Sequence, residues 1–309
     1  MKPHLVLEHH AFLSFPMTQF IYHPEMAALF KQLRQEPCKC HFQQPFSKEE
    51  LMMENMDFES ELPEGEIFDI DNFDTLMKCA PHILSSQVLG VDLEGNLRRG
   101  GFVEMVQLNN GRNTFLFDIW HMNELADFET FWLSRKILRN VMVDPKIIKI
   151  FHDCRHDSIG LHEMIETCIV NVFDTSASET LIDQLARYDK VWKSKGKEQV
   201  NECNQAIAYC RSVKTPGLND IFGKYEAKHG INKNKNKYHK MWSKGDISLF
   251  CKRPLDPDYR DYCVRDVLDL PEMHQKMLLA LPEHAVDVAY WMSGLYAQHG
   301  YNELQKMDK

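Results

Sequence analysis

The sequence lacks any apolar stretch near the roughly 18 residues that a bilayer-spanning helix needs, so we expect no membrane segment. It also lacks a signal-peptide core, since His9 and His10 interrupt the apolar residues near the N-terminus. We therefore interpret the nine cysteines as reduced thiols of a cytoplasmic protein, with the nucleus as a second location. Cys38, Cys40 and His41 have no second Cys/His pair at zinc-finger spacing, which argues against structural zinc.

The charges are distributed unevenly along a chain of otherwise ordinary globular composition. The net charge of −9 argues against a simple basic nucleic-acid binder. Residues 49–71 contain ten acids and no Lys or Arg, whereas residues 216–253 contain nine bases and three acids. A basic segment on a near-neutral body favours a polyanionic partner, and a solvated charged loop is the alternative.

The same changes in composition divide the chain into three parts. Residues 1–66 form an N-terminal extension that ends in the acidic linker, where Pro63 and Gly65 mark its end. We expect the main domain over residues 67–281 and a helical C-terminal tail over 282–309. The last helix could pack on the domain or bind a partner, and packing is the interpretation we favour.

Hydrophobic periodicity predicts an α/β domain. Three strands with short turns between them form an antiparallel meander at 88–94, 103–108 and 114–119. Further strands, at 147–151 and 169–173, alternate with helices and should therefore be parallel. Helices are expected at 69–83, 123–140, 157–166, 178–188, 257–281 and 283–296. The result is a mixed sheet with helices on both faces.

The first meander strand carries two acids on one face. Period-two alternation places Leu89, Val91 and Leu93 on one side and Asp92 and Glu94 on the other. Burying two like charges on a core strand is unfavourable unless a cation lies between them. Carboxylate oxygens are the ligands that Mg²⁺ and Mn²⁺ prefer, so a metal site is one interpretation of this pair.

Two further motifs lie later in the chain. Asp157 follows a buried strand and opens a helix, at the sheet edge where α/β proteins often place their sites, although helix capping is the alternative. Tyr262 and Asp266 are four residues apart on a late helix and therefore share a face. A core helix whose two polar residues reach solvent is the alternative for this pair.

Taken in order, these motifs resemble those of the DEDD superfamily of 3′-5′ exonucleases, which have the ribonuclease H-like fold. Asp92 and Glu94 match its first motif, Asp157 its second, and Tyr262 with Asp266 its third. The tyrosine places the resemblance in the branch that contains RNase D. Residues 91–95, 151–158 and 252–256 resemble the Egalitarian-like subgroup of exonuclease-domain proteins. The resemblance covers about residues 67–281.

The resemblance implies a metal-dependent 3′-5′ exonuclease that acts on single-stranded RNA, with DNA as an alternative substrate. The four acids would hold two Mg²⁺ or Mn²⁺ ions, Tyr262 would orient the attacking water, and the products would be nucleoside 5′-monophosphates. An endonuclease of ribonuclease H type is a weaker alternative, because it does not account for Tyr262 with Asp266.

The resemblance also implies a rival function, since some Egalitarian-like proteins are RNA-binding adaptors that use a coiled-coil protein or RNA-processing partner. The basic segment suits the RNA backbone in either case. Its candidate phosphate-binding residues are Lys224, Lys228, Lys233, Lys235, Lys237 and Lys240. We expect residues 232–237 to form a solvated loop, and Tyr238, Trp242 or Phe250 to stack bases unless they belong to the core.

Overall fold

A computed structural model describes residues 45–53, 61–125, 127–195, 215–244 and 251–299. Most of the predicted extension, residues 1–44, lies outside these ranges, as do the last ten residues. Within the described ranges, no helix is both long and apolar enough to cross a membrane. The prediction of reduced thiols holds for Cys79, Cys154, Cys251 and Cys263, whereas Cys168 is disulfide-bonded.

Within the described ranges, six strands form one mixed sheet in the order β1-β4-β3-β2-β5-β6. The strands are β1 (Ile67–Ile70), β2 (Val88–Gly95), β3 (Val103–Asn109), β4 (Thr114–Asp118), β5 (Ile148–Phe151) and β6 (Val172–Asp174). The predicted antiparallel meander is β2, β3 and β4, and β5 and β6 extend it in parallel from β2. The predicted α/β fold with a mixed sheet is therefore confirmed.

Ten helices are described along the chain. They are α1 (Phe73–Leu84), α2 (Ile119–Glu124), α3 (Phe128–Val143), α4 (Arg155–Ile165), α5 (Thr175–Lys195), α6 (Leu218–Lys224), α7 (Lys235–Ser243), α8 (Pro257–Leu268), α9 (Leu270–Ala280) and α10 (Glu283–Ala297). Buried residues of α1, α3 and α4 join one core cluster with β2, whereas those of α9 and α10 join another with β5 and β6. The sheet is thus covered by helices from two groups.

Three local predictions need correction. The helix expected to begin at residue 69 begins at Phe73, because Asn72 caps it by accepting from the Thr75 amide at 3.0 Å. The preceding residues instead form β1, which pairs in parallel with β4. The helix expected over 123–140 is two helices, because Asp127 caps the second one by accepting from the Thr130 amide.

The long helix expected over 257–281 is also interrupted. It consists of α8 and α9, which meet at Asp269. Pro271 has no amide hydrogen for the helical bond back to residue 267, which favours a break in the helix at this point. The break lies one turn beyond the Tyr262 and Asp266 pair, and it leaves α8 as a separate short helix over the sheet.

Segments outside the predicted main domain also contribute to its packing. Leu51 and Met53 are buried in the core, and the Asn140 side chain forms reciprocal hydrogen bonds with the Phe46 backbone at 2.7 and 2.8 Å. At the other end, α10 packs on β6, where the Asp174 amide donates to Ser293 Oγ at 2.8 Å. The favoured packing of the last helix is therefore seen, and the three-part division of the chain stays a prediction.

Candidate active site

The two acids of β2 face the helix α8. Leu89, Val91 and Leu93 on the opposite face of the strand are buried in the core. The alternation expected from the sequence is therefore present. Asp92 and Glu94 lie on the α8 side and keep partial exposure, so both can reach a ligand from solvent.

Gly90 determines how closely the helices approach this strand. A Cβ atom at this position would lie 2.9 Å from both Leu270 Cβ and the Val267 carbonyl oxygen. Glycine is therefore the only residue that fits without moving the junction of α8 and α9 away from β2. The close approach brings Asp266, one residue before Val267, against Asp92 of the strand.

The start of α8 is fixed by residues 252–256, one of the segments singled out in the sequence. Asp256 Oδ1 accepts from the amides of Asp258 and Tyr259 at 3.0 and 3.2 Å, and Pro257 follows it at the first helical position. Arg253 forms a partly buried ion pair with Asp118 at the end of β4. This segment therefore anchors the helix that carries Tyr262 and Asp266 to the sheet.

Three carboxylates converge between β2 and α8. One oxygen from each of Asp92, Glu94 and Asp266 lies within 4.8 Å of the other two. Asp157, near the start of α4, is buried and lies close enough for the charge of Asp92 to raise its pKa, but it is not among these three. The structure thus brings all four predicted acids into one neighbourhood, with three of them at ligand spacing.

This arrangement disfavours the ionised acids. Burial, and then the neighbouring Asp266 carboxylate, raise the pKa of Asp92 from 3.8 to about 7. Burial and the charges of Asp92 and Asp266 also raise the pKa of Glu94 well above its usual value. Oxygen–metal bonds of about 2.0–2.6 Å place the ligand atoms of one ion within roughly 4–5 Å of each other. Spacing and charge at this cluster therefore fit a divalent cation.

Tyr262 is held beside the cluster by two other tyrosines. Its ring stacks on that of Tyr259 at a centroid distance of 5.8 Å and contacts that of Tyr238 at 5.0 Å. Its hydroxyl hydrogen-bonds the Glu94 carboxylate. Burial and the adjacent Glu94 charge raise the pKa of Tyr262 well above 10, so the phenol stays protonated and acts as a hydrogen-bond donor.

Tyr238 and Tyr259 are both buried. Tyr238, which we expected either to stack bases or to join the core, therefore belongs to the core. Trp242 is 45% exposed and remains available for stacking. Phe250 lies outside the described residues.

Two residues of the basic segment reach Asp266. Asn232 Nδ2 donates to Asp266 Oδ1 at 2.8 Å, and Lys235 Nζ donates to Asp266 Oδ2 at 2.6 Å. The expectation of a solvated loop is therefore wrong here, since Asn232 is buried and Lys235 begins α7. The repeated Asn-Lys pattern at 232–237 carries no signal that distinguishes these two residues from their neighbours, which is why the sequence did not single out Asn232.

The other candidate phosphate-binding lysines fall into two groups. Lys224 forms ion pairs with Glu179 and Asp183, and Lys237 pairs with Asp258 at 2.9 Å. Lys228, Lys233 and Lys240 are exposed and form no ion pair with any residue in the described ranges. The lysine charges of the basic segment are thus only partly free for a polyanion.

The sequence matches a known family over most of this domain. The profile of the 3′-5′ exonuclease family matches residues 68–282, which contain all four acids and Tyr262. The chain therefore belongs to the 3′-5′ exonuclease family. The predicted family is confirmed, and the described residues 45–53, 61–67 and 283–299 lie outside the part of the fold that the family profile covers.

Relatives within this exonuclease family share only part of their length with the chain. Protein RRP6-like 3 of Arabidopsis thaliana is 31% identical over 103 residues, which are 33% of this chain and 10% of that protein. The piRNA biogenesis protein EXD1 of Mus musculus is 32% identical over 114 residues, 36% of this chain and 19% of that protein. The matched regions therefore span less than a fifth of either relative.

Solved structures of RNase D share the fold. Trypanosoma brucei RNase D in complex with RNA U12 superposes with a TM-score of 0.54 at 16% identity, over 76% of this chain and 70% of that one. At this identity the similarity shows the fold, so the ribonuclease H-like architecture expected from the sequence is confirmed.

Proposed function

We propose that the protein is a metal-dependent 3′-5′ exoribonuclease. The observation that carries the proposal is the convergence of Asp92, Glu94 and Asp266, whose ligand oxygens lie within 4.8 Å, on a fold of the 3′-5′ exonuclease family. RNA is favoured as the substrate because the similar RNase D was solved in complex with RNA U12. The substrate and products of this chain are part of the proposal.

The residues of the site would divide the reaction between them. Asp92, Glu94 and Asp266 would hold Mg²⁺ or Mn²⁺, with Asp157 beside them as the fourth acid of a two-ion site. Bound divalent cations supply a nucleophilic water at neutral pH and stabilise the charge that develops on the leaving oxygen. The protonated Tyr262 would donate a hydrogen bond and so orient the attacking water, which its raised pKa suits better than proton abstraction.

Cleavage of a 5′-labelled single-stranded RNA tests the activity. We expect a ladder that shortens from the 3′ end in Mg²⁺ or Mn²⁺ and not in EDTA, with nucleoside 5′-monophosphates as products. The double variant Asp92→Ala, Glu94→Ala should be inactive. A circular RNA should stay intact, since an exonuclease needs an end, and a DNA of the same sequence tests the preference for RNA.

The adaptor alternative is not favoured, because the full set of acids and Tyr262 is present and packed together. It would regain support if wild type and the double variant bound RNA equally and neither cleaved it with either metal. A coiled-coil or RNA-processing partner and a cytoplasmic or nuclear location remain proposals that rest on the sequence alone.

A further inference from the structure

The carboxylate of Asp266 is already engaged at both oxygens. Asn232 Nδ2 lies 2.8 Å from Oδ1, and Lys235 Nζ lies 2.6 Å from Oδ2. At this distance the Lys235 ammonium lies close to the position that a metal ion bound to Oδ2 would take. Each oxygen keeps a second acceptor position, but a metal ion at Oδ2 would lie beside the Lys235 ammonium, and the like charges oppose its binding.

Asn232 is the donor that is fixed in place. It is 1% exposed, and its backbone amide and carbonyl are both bound by the Asn219 side chain at 2.8 and 3.0 Å. Its Nδ2 also donates to the Tyr262 carbonyl at 3.0 Å, which ties it to the backbone of α8. Withdrawal of Asn232 would break this whole set of hydrogen bonds, so it orients Asp266 and stays.

Lys235 is the donor that can leave. Its side chain is 29% exposed, whereas that of Asp266 is 1% exposed, and it reaches the acid through a flexible four-carbon stem. Rotation of that stem would carry the ammonium away without moving the backbone of α7. Lys235 also lies over the Tyr262 ring at 5.5 Å from its centroid, but its withdrawal breaks fewer hydrogen bonds than that of Asn232.

Charge favours the same exchange. One ammonium group brings one positive charge to the three acids Asp92, Glu94 and Asp266, whereas a divalent ion brings two and bonds to several oxygens at once. The two cations repel each other at the same carboxylate, so binding of the ion favours withdrawal of Lys235.

We propose that Lys235 is a built-in counter-cation of the metal-free site, and that metal and Lys235 compete for Asp266 Oδ2. Lys235 then acts as a positioning residue that holds the cluster together and sets the metal concentration at which the site fills. This inference rests on the proposed function only in taking the three acids as the metal site. It differs from a role in RNA backbone binding, which the sequence assigned to this lysine.

Calorimetric titration of the full chain with Mg²⁺ or Mn²⁺ alone, without RNA, tests the competition. We expect Lys235→Met to bind metal at least about tenfold more tightly than wild type, because the competing cation is gone and its length is kept. Lys235→Arg keeps the positive charge and should bind no more tightly than wild type. Lys237→Met removes a neighbouring lysine that pairs with Asp258 instead, and should leave the affinity unchanged.

Melting curves with and without metal check that each variant is folded and provide a second readout. The metal-induced rise in Tm should be larger for Lys235→Met than for wild type, since tighter binding stabilises the folded state further. Lys235→Gln, which keeps a polar group but no charge, replaces Lys235→Met if the latter melts below the range of the titration.

Equal or weaker metal binding by folded Lys235→Met, with wild type binding normally, would overturn the inference and leave the proposed function intact. If neither protein binds metal, and Asp92→Asn, Glu94→Gln behaves like both, the metal site of the proposed function fails together with the inference. Binding by Lys235→Met but not by wild type supports the competition in its strongest form.

Discussion

Two sets of acids on the central sheet have opposite surroundings. Asp174, at the end of β6, is fully buried, and its oxygens accept from the amides of Cys154, Ser176 and Ala177 at 2.8–2.9 Å. Asp92 and Glu94 lie side by side on one face of β2, opposite Asp266 of α8. The backbone supplies three hydrogen-bond donors to Asp174. The neighbours of Asp92 and Glu94 are mainly other acids and one lysine.

The difference separates an acid that supports the fold from acids that await a ligand. The backbone amides that donate to Asp174 compensate for the burial of its charge. These hydrogen bonds connect the end of β6 to the starts of α4 and α5. Carboxylates that face one another leave a negative charge that an external cation can neutralise. Burial alone does not distinguish the two roles, and the identity of the neighbours does.

The sharpest way to test this contrast is to neutralise Asp92. Asp92→Asn should lower exonuclease activity at least about 100-fold, because loss of one metal ligand removes several kcal/mol of transition-state stabilisation. In EDTA at pH 8 the same change should raise the free energy of unfolding by at least about 1.4 kcal/mol, the equivalent of one pKa unit. Urea denaturation measures the second effect, and a destabilised Asp92→Asn would contradict the view of repelling acids.

The same substitution at Asp174 should have the opposite effect on stability. Asp174→Asn leaves one acceptor oxygen for three amides and turns an Nδ2 donor toward them, so we expect a loss of about 1–3 kcal/mol from the free energy of unfolding. Metal affinity should be unchanged once the variant is folded. A Tm equal to that of wild type would show that Asp174 does not hold these elements together.

Proton release on metal binding should further separate the two sets. The pKa of Asp92 is raised to about 7, so this acid is protonated in the metal-free protein below pH 7 and must lose its proton to bind metal. Because its folded pKa lies above 3.8, Asp92 favours folding at low pH, and that contribution is lost as the pH rises through 7.

Metal affinity should therefore increase by about tenfold per pH unit for this proton below pH 7 and level off above it. Calorimetry between pH 5.5 and 8.5 measures the slope, and buffers of different ionisation enthalpy count the protons released. Asp92→Asn should remove one proton from that count. A pH-independent affinity in wild type would contradict the raised pKa.

The sequence was sufficient to predict the acids of the site and an antiparallel meander extended by two parallel strands, but not β1 or its pairing with β4. Asp92, Glu94, Asp157, Tyr262 and Asp266 are all brought together, because alternation on a strand and four-residue spacing on a helix fix side-chain direction locally. The roles of these residues stay predictions. Gly90 was not predicted, since its importance depends on contact with Leu270, which lies 180 residues away in the chain.

The basic segment was the least predictable part of the site. Its alternating Asn and Lys residues have no hydrophobic period, so local rules favoured a solvated loop. In the structure these lysines differ in their ion-pair partners. The acids that pair with Lys224, Lys235 and Lys237 come from α5 and α8. Pairing across such distances depends on the packed fold and is not encoded in the local pattern.

The contrast between satisfied and unsatisfied charge extends to these lysines, with the smallest expected effects. Lys233 and Lys240 form no ion pair with described residues, so we expect Lys233→Ala, Lys240→Ala to weaken RNA binding several-fold. The slope of the logarithm of affinity against the logarithm of salt concentration should become shallower by about 0.7 for each phosphate that the variant no longer neutralises. Fluorescence anisotropy with labelled single-stranded RNA, in EDTA between about 50 and 200 mM salt, measures both quantities.

Lys224→Met, Lys237→Met is the matched control, because it removes the same number of charges from the same segment. These two lysines already pair with Glu179, Asp183 and Asp258, so their loss frees acids as well as removing cations. We expect RNA binding within about twofold of wild type, since the charge of each of these lysines is already balanced by an acid of the protein. Equal weakening by both double variants would mean that RNA binds all these lysines whether or not they form ion pairs. The contrast between satisfied and unsatisfied charge would then apply only to the acids.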